Sequence, residues 1–399
     1  MTHRVFGCFW GLATTALGIV ATLLAGPVSA QEKPKIRIAH GGQLLNISYP
    51  WLEMPAALKY WSQEGYDVEV FIGQSSLQSI QLLVAGQADL AQVNSGPLVQ
   101  AAAKNDIQLQ DVMMNTIIEW SLVVPEDSSI ASVKDFKGKA IGTSSLGTGG
   151  VALLKSFMEA NGVDPEKDIQ ILPVGIGPLA YQALQTDKVQ GLMYWGSAIA
   201  SFENFGGKFR RFYDPNWRQM PDFSLVALKS TIDRDPKAIE AVVRGAAKGS
   251  IFALTNPDCA RKVQWSYRPA SKPTGADEAT LVKHDIHYLN ATLDAMKLAL
   301  NLSGGKEWGK TTPAQFDPLQ DFLLRTKQIN KKVPSADLVI GIPNFFERAN
   351  NFDHEAVEKQ ASACNIKMLC KRERRPSHSE LYRLGGGAAI FLHVPEAAQ

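Results

Sequence analysis

The residues with the clearest chemical potential lie in short polar loops. Gly147-Thr148-Gly149-Gly150 opens a stretch with helical periodicity. Its backbone N–H groups and the Thr148 hydroxyl suit an anion or a polar group at a helix N-terminus. The loop is not a nucleotide fingerprint: position 152 is Ala where GxGxxG needs Gly, and the Ser and Lys of a Walker loop are missing. Gly142-Thr143-Ser144-Ser145-Leu146 lacks the second Gly of a nucleophile elbow. His284 and His287 flank Asp285 on a predicted helix, but a metal needs further ligands and none is near in sequence. A solvated helix face is the simpler reading. His40 follows a predicted strand and could face a cleft, though a packed or solvent-facing histidine is the simpler reading. No catalytic residue, metal or cofactor is assigned.

Six loops share a second property. Residues 41–51, 73–78, 94–98, 143–150, 175–181 and 194–198 contain no Lys, Arg, Asp or Glu. They carry Asn46, Ser75, Ser76, Asn94, Ser95, Ser144, Ser145 and Thr148 together with Tyr49, Trp51, Tyr181, Tyr194 and Trp195. Aromatic rings beside uncharged hydrogen-bonding groups suit a small planar or partly apolar ligand. A carboxylate or sulfonate can still be held by helix N-termini without an arginine.

The elements that position these loops repeat. In residues 73–103 a hydroxyl-rich loop precedes a helix, a short strand and a second helix. Ser75 or Ser76 is the expected N-cap, Leu77, Ile80, Leu83 and Val84 keep the 3.6-residue period, and Gly86 closes the turn. Asn94-Ser95-Gly96-Pro97 starts the next helix, with Pro97 expected at its first position. About a hundred residues on, Gly175-Ile176-Gly177-Pro178 opens a helix, residues 189–195 form a strand, and Gly196-Ser197 starts another helix. Two such α/β units, with loops at the carboxyl ends of their strands, predict two Rossmann-like lobes with a ligand cleft between them.

Residues 36–39 and 66–72 read as strands, and 51–63 as one helix. Residues 112–124 supply β-type residues and the first crossover, and the apolar run 223–228 is read as the crossover back. The expected organisation is a signal over 1–30, a first lobe over 31–124, a second over 125–222, a return with C-terminal helices over 223–364, and a disordered tail over 365–399. Helices over 238–254, 259–267, 276–300 and 313–326 are expected to pack on the first lobe.

The ends of the chain differ from its body. A weakly positive start, an apolar run over 9–24 and Val28-Ser29-Ala30 read as an export signal cleaved near Ala30. No later stretch is apolar and long enough to span a bilayer. The formal charge of +2 comes from the two ends, leaving residues 31–370 at −1, so a nucleic-acid partner is not supported. After cleavage Cys259, Cys364 and Cys370 remain, which predicts one disulfide and an odd thiol in an oxidising compartment. Cys259–Cys364 is favoured over Cys364–Cys370, which would close only a short loop.

Pro55-Ala56-Ala57, Gly65-Tyr66-Asp67-Val68-Glu69-Val70, Ala85-Gly86-Gln87-Ala88-Asp89-Leu90, Asn94-Ser95-Gly96-Pro97 and residues 133–139 carry a resemblance. The chain resembles the periplasmic substrate-binding proteins of ABC importers for nitrate, aliphatic sulfonates, taurine and thiamine-precursor pyrimidines, over residues 35–250 and more loosely to 360. The resemblance implies a type II periplasmic binding protein fold, α/β, with two lobes joined by two crossovers and closure around a ligand. It places contacts at Asn46, Ser75, Asn94, Ser145 and Trp195, within a wider candidate set that includes Tyr49, Ser76, Ser95, Ser144, Thr148 and Gly177. The second repeat departs from the family pattern, with residues 186–191 reading Thr-Asp-Lys-Val-Gln-Gly. The expected protein is a monomeric periplasmic receptor that hands a small organic solute to a permease, with no membrane insertion after cleavage. The alternative is an enzyme of the thiamine-precursor synthase type, which shares the fold but relies on a Cys-rich motif that this chain lacks.

Overall fold

The computed structural model describes residues 32–366. The expected signal, Cys370 and most of the expected tail lie outside the described residues, and all elements below belong to the compact unit that starts at Pro34. The first lobe comprises β1 (Lys35–His40), α1 (Pro50–Ala57), α2 (Tyr60–Gln63), β2 (Asp67–Ile72), α3 (Ser76–Val84), β3 (Leu90–Val93), α4 (Ser95–Asn105) and β4 (Leu109–Met114). The second comprises β5 (Ser121–Pro125), β6 (Lys139–Thr143), α5 (Gly149–Ala160), β7 (Ile169–Pro173), α6 (Pro178–Gln185), β8 (Gly191–Tyr194), α7 (Gly196–Asn204) and β9 (Phe209–Phe212). The chain returns as β10 (Ser224–Leu228) and continues as α8 (Lys229–Arg234), α9 (Pro236–Thr255), α10 (Pro257–Tyr267), α11 (Glu278–Leu302), α12 (Pro313–Arg325), α13 (Phe345–Ala349) and α14 (His354–Ala363).

The two sheets share one plan, β2-β1-β3-β10-β4 and β7-β6-β8-β5-β9. In each, the first three strands run parallel and the fourth is antiparallel to both neighbours. That fourth strand is the first one formed after the chain has crossed from the other lobe. It is buried along nearly its whole length in both sheets. A strand covered on both faces reads as a continuous apolar run, without alternation. Residues 223–228 are therefore not the return crossover but mostly β10, and the crossover precedes them. Likewise β5 already belongs to the second sheet, so the first crossing ends before the expected boundary at 124.

Local chemistry explains the remaining differences. The expected helix over 51–63 is broken into α1 and α2, because Lys59 turns left-handed at φ 61° behind a helix that contains Pro55. Pro97 is the third residue of α4, not the first, since Asn94 is the N-cap residue. The departure at 186–191 leaves the repeat intact. In the first lobe Asp89 accepts from Arg37 N at 2.9 Å, and in the second Gln190 Oε1 accepts from Ala140 N at 2.9 Å. An amide oxygen replaces a carboxylate at the same register.

The C-terminal helices do more than cover the first lobe. α9 packs on α1, and Trp61 Nε1 donates to Val242 O at 2.9 Å. By contrast α11 packs along α7 of the second lobe, where Asn204 Nδ2 donates to His284 O at 3.0 Å. α12 reaches α5, with Thr326 Oγ1 donating to Ser156 Oγ at 2.8 Å in a buried setting. The expectation that these helices pack on the first lobe alone is therefore corrected. A Cys259–Cys364 disulfide ties α10 to the end of α14, with Cα atoms 5.6 Å apart.

Candidate functional site

Loops from the carboxyl ends of strands in both lobes meet at one place. Gly41, Gly42 and Gln43 follow β1, Asn94 follows β3, Ser144 and Thr148 follow β6, and Trp195 follows β8. Tyr49, Gln74 and Ile176 complete the wall with Trp120 and Phe223 from the two crossovers. None of these lining residues is charged. The space between them is only 20 Å³, about one water. It adjoins a funnel of 650 Å³ through the shared residues Gln43, Tyr49, Ile176 and Trp195.

The expected polar residues divide by what already occupies them. Ser76 Oγ donates to Asn94 Oδ1 at 2.9 Å, and Asn94 Nδ2 donates to the Asp222 carboxylate at 3.0 and 3.1 Å. Ser95 Oγ donates to Asp222 O at 2.9 Å. Ser75 caps α3, accepting from Gln78 N at 3.2 Å. Asn46 Nδ2 donates to Tyr288 Oη at 2.9 Å, and its Oδ1 accepts from Ser48. Ser75, Ser76, Ser95 and Ser145 line neither space, while Asn94, Ser144 and Thr148 line the inner one and Asn46 and Gly177 the funnel. Ser144 O accepts from Gln43 Nε2 at 3.1 Å and Gly147 O from Leu77 N at 3.2 Å, so these loops form the seam between the lobes. Gly177 sits at φ 58° and ψ −136°, which a residue with a Cβ strongly disfavours.

The aromatic residues also divide. Tyr49 and Trp195 line both spaces. Tyr49 packs against His40 at 4.2 Å and Phe223 at 6.1 Å between ring centroids, and Trp195 against Trp120 at 5.3 Å. The indole Nε1 of Trp195 and the hydroxyl of Ser145 are buried without a partner. Trp51 and Tyr194 are core, and Tyr181 stacks on Phe202 and Phe205 in the second lobe, away from the cleft.

Two acids escaped the sequence reading because they sit on the crossovers and not in the loops. Asp222 accepts from Asn94 and from Trp120 Nε1 at 2.8 Å, and burial pushes its carboxyl up to about 7. Glu119 accepts from Gly196 N at 2.7 Å at the start of α7, and burial raises it to about 8. A Cβ at Gly196 would lie 1.9 Å from the Glu119 carboxylate, so only glycine admits this contact. The uncharged cleft wall is thus backed by two buried carboxyls. His40 is sealed behind Gly42 and Tyr49, and burial lowers it to about 4. His287 pairs with Asn204 and Glu203 of α7. Among the described residues no group of three or more His, Cys, Asp or Glu could hold a metal ion, and no helix is long and apolar enough to cross a membrane.

A family model described as NMT1/THI5 like matches residues 55–260, just over half of the chain. No curated protein matches. Among solved structures, the ligand-binding component of an ABC-type import system from Staphylococcus aureus, with zinc bound, is 13% identical at TM-score 0.56, covering 80% of this chain and 100% of that one. A putative periplasmic sulfonate-binding protein SsuA from Methylobacillus flagellatus KT is 15% identical at TM-score 0.52, covering 79% and 94%. The periplasmic aliphatic sulphonate binding protein SsuA from Escherichia coli is 16% identical at TM-score 0.50, covering 79% and 100%. At such identities the likeness is one of fold: two α/β lobes of the periplasmic binding protein kind. With that architecture and a family match over most of both lobes, the chain belongs to the NMT1/THI5-like family.

Proposed function

We propose that this protein is the solute-binding component of an ABC importer, which holds a small organic solute between its lobes and delivers it unchanged to a permease in the periplasm. The observation that supports this best is the cleft itself, where loops of both lobes bring Tyr49, Trp120, Trp195 and Phe223 around a wall without charged side chains. Such a wall suits a planar or aromatic group. The solute class is an aromatic carboxylate, a sulfonate or a pyrimidine. The receptor acts as a monomer after removal of its signal near Ala30. Catalysis is not part of this reading, and His40, at the end of β1, is sealed behind Gly42 and Tyr49.

A thermal-shift panel of nitrate, taurine, alkyl and aryl sulfonates, aromatic carboxylates and pyrimidines tests it. A solute at about a hundred times its dissociation constant adds roughly 2.7 kcal/mol, several degrees in melting temperature. A shift from one class, with the solute recovered intact, is the expected result. A chemically altered solute would transfer the site to the synthase reading.

A further inference from the structure

The funnel outside the inner cleft is far larger than the cleft, 650 against 20 Å³, and its outer wall comes from beyond the two repeated α/β units. Residues 270–276, between α10 and α11, form one side, and Gln264, His284, Asp285 and Tyr288 form another. Lys272 is the only lysine or arginine among the described residues that line it. Its Nζ lies 3.0 Å from Glu278 and 4.5 Å from the centre of the Trp265 ring. The Glu278 side chain is 73% exposed, so that ion pair is weak and leaves Lys272 available. Asp285, the one carboxylate on the lining, accepts from Trp265 Nε1 at 2.6 Å. Gln264 is buried; its Nε2 donates to Glu53 at 2.6 Å, and its Oε1 has no partner.

Charge fixes the direction in which a ligand lies. The inner wall holds no cationic side chain that could pair with an anionic group at the floor. The floor has room for only about one water, so a ring lies above it against Tyr49 and Trp195, which line both spaces, and a charged end points outwards. We propose that the funnel is a second subsite, in which Lys272 holds the anionic end of an elongated aromatic ligand whose ring lies against Tyr49 and Trp195. This rests on the solute-binding reading and narrows it to acids longer than a compact sulfonate.

Isothermal titration with 4-phenylbutanoate and its primary amide separates the two ideas. Wild-type protein is expected to bind the acid at least tenfold more tightly than the amide. Lys272→Met, which keeps the stem over Trp265, should reduce that preference below twofold while leaving the amide unchanged. An acid preference that survives Lys272→Met, or equal binding of acid and amide by wild type, overturns the subsite and leaves the cleft reading standing. Failure of both probes while a compact solute from the panel binds also overturns the subsite. No binding by any compound overturns both.

Discussion

Removing the Asp222 carboxylate should destabilise the protein in a pH-dependent way. The group accepts from Asn94 Nδ2 and from Trp120 Nε1, and all three residues are buried. Asp222→Ala strands two donors, each at about 1–3 kcal/mol, for a total of roughly 2–6 kcal/mol. The wild-type carboxyl carries an opposing cost. Burial raises it from 3.8 to about 7, so the folded state keeps a proton that the unfolded chain has released. Its contribution is whole below the unfolded value and is lost as pH rises through 7. A shift of about three units corresponds to some 4 kcal/mol as an upper order of magnitude. Asp222→Ala is therefore expected to cost several kcal/mol at pH 5 and clearly less at pH 8. Urea unfolding at both pH values reads this directly. Asp222→Asn keeps one acceptor, so its cost is smaller, and it falls from pH 5 to pH 8 by the same amount because it too removes the titrating carboxyl. A loss below about 1 kcal/mol at pH 5, or a cost that grows with pH, would refute the reasoning.

Two further outcomes follow from the same geometry. The Cys259–Cys364 bridge spans 105 residues, so reduction should lower stability by about 4–5 kcal/mol in the loop-entropy view, and a Cys259→Ser/Cys364→Ser variant should melt at one temperature with or without dithiothreitol. Wild-type stability should peak in mildly acidic buffer: Glu119, raised from 4.5 to about 8, loses its contribution as pH climbs to 8, whereas His40, lowered from 6.5 to about 4, loses its own as pH falls towards 4. Melting scans from pH 4 to 9 locate the maximum, and Glu119→Gln should flatten its alkaline side.

Much of this architecture is legible in the sequence because local signals and global topology agree. Ser75 is an N-cap by residue type and caps α3 in the fold. The repeated helix–strand–helix unit recurs as two sheets of identical strand order. Gln190 looks like a departure from the first repeat, yet its amide oxygen takes the place of the Asp89 carboxylate, so an acceptor for the neighbouring strand is what the two repeats share, and the carboxylate in the first also pairs with Arg37. The pairing of Cys259 with Cys364 agrees with the favoured one.

What was not legible depends on contacts between distant segments. An apolar run such as 223–228 serves as linker or central strand equally well, and only its insertion between β3 and β4 decides. Asp222 and Glu119 are single acids in apolar surroundings, a pattern that can mark buried hydrogen-bonded carboxyls, but their partners Asn94, Trp120 and Gly196 lie 128, 102 and 77 residues away. Residue type alone could not separate Tyr49 and Trp195, which line the cleft, from Trp51 and Tyr194, which fill the core. The contacts of α11 and α12 with the second lobe had no local signature either, since amphipathic helices carry no label for the surface they cover.

Isothermal titration of the strongest solute from the panel into wild-type protein and Trp195→Ala is the most direct test of solute binding in the aromatic cleft. Wild type should bind one equivalent with a negative heat-capacity change. The variant should lose about tenfold or more in affinity, or roughly 1.4 kcal/mol, as the indole that lines both spaces is removed. Equal affinity in the two proteins would contradict it and place the solute elsewhere on the molecule.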